Sequence, residues 1–367
     1  FVITTMNAKF TDIDNDTKWI TFGGSYPGFL SAMVRQFYPN IIYGAVSSSA
    51  PVRFVIDFKS YKEHQAYDLQ YNQIGGNQQC LQIIRDGHTE IEYELIIKEN
   101  YNTVGTMFRI CNASSTFLHN RDNINMFLGD GVVDIPAQGN NPTCNTSNVC
   151  NIEQTCQFLL QQQKQQQSSS SSNMELLAKL ATLQQQNDDD NDHCMTIDWN
   201  TTIQYIINNP TEEQSWLYQT CTEFGYYQTC EQDTNCPFGR GYHPLDMDYE
   251  ICRIVFNITN VTENVQQTTE YYGTPIFQSR NATRILSING DVDPWSELAY
   301  TNNSSSTDLP TIMVKGASHH FWTHPIHTDT DDIHIQNARN IIYQQVTEWL
   351  LLDNDDEKDL SDHSSIS

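Results

Sequence analysis

Cations are scarce in this chain. Its 367 residues include 19 Lys and Arg against 45 Asp and Glu, a formal net charge of −26. Binding a phosphate backbone needs a basic surface, so this balance argues against a nucleic-acid partner. Long apolar runs are also lacking, and no stretch is apolar enough to span a bilayer. Paired C-x-x-C spacings are absent, which removes the usual zinc frameworks. What is present suits a dispersed polar protein: self-repulsion keeps so acidic a chain in solution. Apolar residues make up 38% of it, adequate for the core of one large domain or two. The ten cysteines are even in number. Glycosylation sequons occur at Asn15, Asn112, Asn145, Asn200, Asn257, Asn260, Asn281, Asn302 and Asn303. Disulfides with sequons favour the secretory route.

Chemistry enters at Gly23-Gly24-Ser25-Tyr26-Pro27-Gly28. Upstream, Trp19-Ile20-Thr21-Phe22 fits a buried strand. Downstream, Phe29, Leu30, Met33, Val34 and Phe37 recur at helical spacing. Ser25 therefore sits at a strand-to-helix turn, where a serine is held in a strained conformation between small neighbours. The Tyr26 N–H falls at the helix start, placed to meet a developing oxyanion. Pro27 fits the first helical turn, where a missing N–H costs nothing. A glycine-rich turn that only packs a helix on a strand is the plainer alternative. Pro27 also delays the second glycine of the G-x-S-x-G pattern by one residue.

Two later segments supply partners. Arg284–Ile288 reads as a buried strand ended by Asn289-Gly290, and Asp293 lies in the loop beyond. On its own Asp293-Pro294 is an ordinary turn initiator. Thr311–Val314 is a further strand, followed by Gly316 and His319. Serine, aspartate and histidine in that order match the chain order of an α/β-hydrolase triad. His320, His324 and His327 raise a metal cluster as an alternative. Pro325 blocks the helix that an i, i+4 pair needs, and no carboxylate stands at metalloprotease spacing, so neither metal nor cofactor is expected.

The text GGSYPGFLSAMVRQFYPNIIYGAVSSSAPV from Gly23, WLYQTCTEFGYYQTC from Trp216, HPLDMDYEIC from His243, NGDVDPWSELA from Asn289 and GASHH from Gly316 resembles the serine carboxypeptidase S28 family. That resemblance implies an α/β-hydrolase fold with an inserted helical lid. It implies Ser25 as nucleophile, Asp293 as acid and His319 as base. Trp295 matches an aromatic residue of a proline-binding pocket, and Phe29 stands where some relatives carry a methionine. The implied activity is exopeptidase cleavage after proline, of dipeptidyl-peptidase or prolyl carboxypeptidase type, in a secreted, lysosomal or vacuolar protein. Peptides are the implied partners, and a homodimer is left open. A Cys80–Cys111 disulfide is also implied. A lipase or esterase on the same fold, and a non-catalytic peptide-binding relative, are the rivals.

The expected organisation is a first hydrolase block at 1–55, a mainly helical insertion at 56–215, a second hydrolase block at 216–353 and an acidic tail at 354–367. Apolar spacing predicts helices around Cys80–Ile84, Ile91–Ile97, Phe117–Phe127 and Met174–Leu183. The runs Gln161–Asn173 and Gln184–Asp192 read as solvated or disordered, being too polar to offset ordering entropy. The last helix should span Asp332–Leu352, with Ile335, Ala338, Ile342, Val346, Trp349 and Leu350 inward. Family members place strands and a His-Arg-Tyr-Tyr-Gly segment ahead of the elbow. Neither occurs here, so an incomplete chain with an exposed edge at Trp19–Phe22 is the expectation.

Overall fold

The computed structural model describes residues 16–111, 117–144, 149–165, 172–185, 194–209, 211–273, 277, 282–301, 308–326 and 331–351. Trp19–Gly24 (β1) leads into Tyr26–Phe37 (α1), and the chain returns as Ile42–Ser48 (β2). Val55–Asp57 (β3) pairs in parallel with Gly225–Tyr227 (β4), closing the two ends of a long, mainly helical stretch. Ile285–Gly290 (β5) and Thr311–Val314 (β6) complete a four-stranded sheet of order β1-β2-β5-β6, parallel throughout.

Alternation along the strands sorts side chains to opposite faces. Ala45 and Ile285 pack with Phe29, Ala32 and Met33 of α1. Their neighbours Val46 and Leu286, with Ile288 and Val314, pack with Ile335, Ala338 and Trp349 of the last helix. Both faces are thus covered, as a parallel sheet requires. At the outer edge, β1 has β2 as its sheet neighbour on one side, and Phe22 is 62% exposed. The Trp19–Phe22 run is a strand, as its sequence predicts, but an edge strand with no fully buried residue.

The helical stretch comprises Lys59–Asp68 (α2), Gln78–Glu92 (α3), Tyr101–Met107 (α4), Arg121–Gly129 (α5), Ile152–Gln165 (α6), Asn173–Gln185 (α7) and Trp199–Asn208 (α8). It carries its own apolar core, which includes Ile84, Ile91, Phe108, Phe127, Leu159 and Leu177. Beyond it come Glu212–Gln219 (α9), Leu245–Phe256 (α10), Val261–Tyr272 (α11) and Ile333–Leu351 (α12).

Three expectations need correction. Leu350 is exposed rather than inward, because neighbouring Trp349 takes the buried position and one residue turns a helix by about 100°. Gln161–Gln165 continue α6 and Asn173 opens α7, so these parts of the polar runs are ordered as helix, although none of their residues is buried. Buried Ile152, Cys156 and Leu159 nucleate α6, and glutamine propagates a helix well. The disulfides are Cys80–Cys156, Cys111–Cys194, Cys144–Cys150, Cys221–Cys252 and Cys230–Cys236. Cys80 does not join Cys111: α3 packs against α6, while the Cys111 N–H bonds the Met195 carbonyl beside Cys194.

Among the described residues no helix is long and apolar enough to cross a membrane. The sequon asparagines Asn200, Asn257 and Asn260 are exposed. Asn15, Asn112, Asn145, Asn281, Asn302, Asn303, His327 and the 354–367 tail lie outside the described residues.

Candidate active site

Ser25 stands between β1 and α1 with φ 60° and ψ −130°, a conformation that costs a non-glycine residue of order 1–3 kcal/mol. Its N–H donates to the Ser48 carbonyl at the end of β2 (2.8 Å), and its carbonyl accepts from Phe29 N–H (3.1 Å). The turn closes only on small residues. A Cβ at Gly23 would lie 2.0 Å from the Pro27 carbonyl oxygen, and one at Gly28 would lie 2.8 Å from that of Ser48. Tyr26 opens α1, so its N–H is one of the first-turn donors that a helix leaves without an internal partner.

Asp293 and His319 leave adjacent strands, β5 and β6, and their loops interlock. Val292 N–H bonds the Ala317 carbonyl, and Gly316 N–H bonds Asp291 Oδ1 at 2.6 Å. Gly290 permits this approach, since a Cβ there would lie 2.1 Å from the Ala317 oxygen. Asp293 is fully buried and splits its oxygens between two donors. Oδ1 accepts from Trp295 N–H (3.0 Å), capping the turn Pro294–Leu298, and Oδ2 pairs with His319 Nδ1 (2.8 Å). Turn capping and imidazole pairing therefore coexist in one carboxylate. With Nδ1 donating, Nε2 is the ring's basic nitrogen. That atom is buried and has no hydrogen-bond partner.

The base loop is fastened to the elbow through the end of β2. His320 N–H donates to Ser49 Oγ (2.8 Å), and Trp322 Nε1 donates to Ser48 Oγ (3.0 Å). Ser48 is the residue whose carbonyl holds Ser25 N–H. The His320 ring lies 3.0 Å from where a Gly24 Cβ would stand, and its centroid is 4.5 Å from that of His319. The loops bearing Ser25 and His319 therefore share one neighbourhood, although Ser25 Oγ is not hydrogen-bonded to Nε2. Such bonds are often long before substrate binds. Burial, with the neighbouring His319 and His324, lowers the His320 pKa to about 4, so His320 is a neutral neighbour at higher pH.

Trp295 lies beside this pair, its ring centroid 6.3 Å from that of His319. Phe58, Tyr61, Tyr226 and Trp216 surround it at centroid distances of 5.3 to 6.4 Å. Phe29 is placed deeper, enclosed by Tyr26, Phe54, Phe224 and Tyr272 and 1% exposed. A separate cleft of about 1030 Å³ borders Ser296 and Glu297 of the acid turn, and none of Ser25, Asp293 and His319 lines it.

A model of the serine carboxypeptidase S28 family matches residues 1–342. This chain belongs to that family. Thymus-specific serine protease of Mus musculus is 29% identical over 354 residues, covering 92% of this chain and 65% of the relative. Its Homo sapiens counterpart is 28% identical over 360 residues, covering 94% and 66%. A probable extracellular serine carboxypeptidase of Arthroderma benhamiae is 23% identical over 390 residues, covering 94% and 52%. The chain thus spans about two thirds of the length of the thymus-specific relatives.

Sequence reasoning missed several members of this candidate site. Ser48 and Ser49, which join base loop to elbow, were visible only as a serine run ending a strand. Gln138, whose side chain touches both Trp295 and Tyr61, carries no motif.

Proposed function

We propose that this protein is a serine exopeptidase that cleaves after proline near a peptide terminus. The observation that carries the proposal is the buried Asp293–His319 bond, with Nε2 left unpartnered beside a strained Ser25 turn. Ser25 Oγ attacks the scissile carbonyl carbon while His319 Nε2 takes its proton. Asp293 holds the imidazole tautomer and stabilises the imidazolium. The Tyr26 N–H stabilises the oxyanion, which collapses to an acyl-enzyme as the protonated His319 hands its proton to the leaving amine. Water, activated by the same nitrogen, then releases the acid. Neutral His320 does not repel the imidazolium.

Trp295, within its ring of aromatic residues, forms the wall for the proline ring, and Phe29 supports it indirectly, through Phe224 and then Trp216. The helical stretch acts as a lid that restricts access to peptide ends. Five disulfides and exposed sequon asparagines support a glycosylated protein of the secretory, lysosomal or vacuolar route. The test is turnover by the purified protein of Xaa-Pro fluorogenic amides against tributyrin. Cleavage of the amides, lost in Ser25→Ala, supports the peptidase. Tributyrin hydrolysis alone points to an esterase. Binding of a prolyl peptide with no turnover at any pH marks a non-catalytic protein.

A further inference from the structure

Gln138 belongs to the helical stretch, yet its contacts are with the candidate catalytic loops. Its backbone carbonyl accepts from His319 N–H at 3.2 Å. Its side-chain Oε1 accepts twice, from Trp295 Nε1 at 2.9 Å and from the Tyr61 hydroxyl at 2.7 Å. An indole N–H can only donate, so the atom facing Trp295 is the oxygen, and the amide has one orientation. Burial pushes the Tyr61 pKa up, so the hydroxyl keeps its proton and remains a donor. Asn140 fixes the same turn: its carbonyl accepts from Ser318 Oγ (2.8 Å) and its Oδ1 from Ile152 N–H (3.0 Å). The carboxamide is therefore held from both sides by groups that use only its oxygen.

Its Nε2 is directed away from both clamping donors, and no group among the described residues accepts a hydrogen bond from it. Gln138 is itself exposed. A rigidly held amide thus presents two unused donors beside His319 and Trp295. We infer that Gln138 is a substrate-binding residue, whose Nε2 donates to a main-chain carbonyl oxygen of the peptide on the acyl side of the scissile bond. This rests on the peptidase reading above. Two features select the ligand chemistry. The donor is neutral and clamped by neutral groups, which suits a neutral amide carbonyl. Gln138 is also bonded to Trp295, the wall for the proline ring, so the nearest substrate carbonyl is the one joining proline to the residue before it.

The test compares two substrates and one substitution. One substrate is an Xaa-Pro fluorogenic amide. The other is its (E)-alkene isostere, in which a carbon–carbon double bond replaces the Xaa–Pro amide, so that the carbonyl is absent and no basic nitrogen is created. Gln138→Glu keeps oxygens that accept from Trp295 and Tyr61 but removes the donor. A new charge acts on both substrates alike, so the readout is the ratio of their kcat/KM values. Gln138→Glu should lower that ratio by about 3–10-fold, the worth of one neutral hydrogen bond. An unchanged ratio overturns the assignment. Fluorophosphonate labelling of the unsubstituted protein separates the two levels. Label and turnover with an unchanged ratio sink the Gln138 role alone, whereas absence of both sinks the peptidase reading and this inference with it.

Discussion

Two regions of this molecule each bury an aspartate completely and treat it in opposite ways. In the turn after β5, Asp293 has a donor for each oxygen, Trp295 N–H and His319 Nδ1. At the end of α2, Asp68 has none for either; the nearest cation-capable atom is His64 Nε2 at 3.7 Å, beyond hydrogen-bond reach. His64 turns instead to Glu297 (3.0 Å) and the Asp291 carbonyl (3.2 Å). Burial pushes the Asp68 pKa well above its ordinary value, and Asp291, Asp293 and Glu297 add to the push. Shielding from water therefore does not by itself decide how a carboxylate is used. Asp293 spends both oxygens on donors, whereas burial and the neighbouring carboxylates favour the protonated form of Asp68.

The largest expected effect breaks the first site. Asp293→Asn should lower kcat by about 10⁴-fold through the wrong imidazole tautomer, with an unchanged circular dichroism spectrum. Asp68→Asn should leave turnover within about twofold; comparable losses in both would erase the contrast. A third polar group, fully partnered, sharpens it next. Buried Lys62 bonds the Gly129 carbonyl (2.8 Å) and Asp130 (2.9 Å), and His243 bridges Asp130 and Asp248. Lys62→Met should destabilise the fold by about 1 kcal/mol in urea titration, because it removes the bonds to the Gly129 carbonyl and to Asp130, whose half-exposed carboxylate keeps water and His243 as partners.

His243 gives a smaller, pH-dependent effect. Burial opposes its charge, but Asp130 and Asp248 prevail and raise its pKa to about 9 from 6.5. A folded-state pKa above the unfolded one means this stabilisation is complete below pH 6.5 and lost as pH rises through 9. Unfolding curves across that window should slope downward in the unsubstituted protein and flatten in His243→Gln. The smallest effect belongs to Asp68. Its raised pKa means the folded state retains a proton that the unfolded chain releases, so stability declines as pH climbs above 3.8. Asp68→Asn should therefore raise Tm at neutral pH by about 2–4 °C, with the gain vanishing in strong acid.

The elbow and the two later strands were legible because local rules agree there. Gly23, Ser25 and Gly28 have to be small or strained for a strand to turn directly into a helix, and that requirement is written in adjacent residues. Asp293 alone read as a turn former; only its place beyond a strand and ahead of His319 suggested chemistry. The disulfides failed differently. Which cysteine meets Cys80 depends on α3 lying against α6, a tertiary fact with no local signature. Leu350 and Trp349 compete for one inward position, and apolar spacing cannot rank them. Gln138 and Asp68 were invisible for a related reason. Their roles depend on partners such as Trp295 and Asp291, far along the chain.

The most direct test of the serine mechanism is a fluorophosphonate label located by peptide mass mapping. Expected is a single adduct on Ser25, absent in Ser25→Ala and formed far more slowly in His319→Ala. An adduct on another residue, or labelling that survives Ser25→Ala, contradicts the convergence of elbow, acid turn and base loop on one reacting centre.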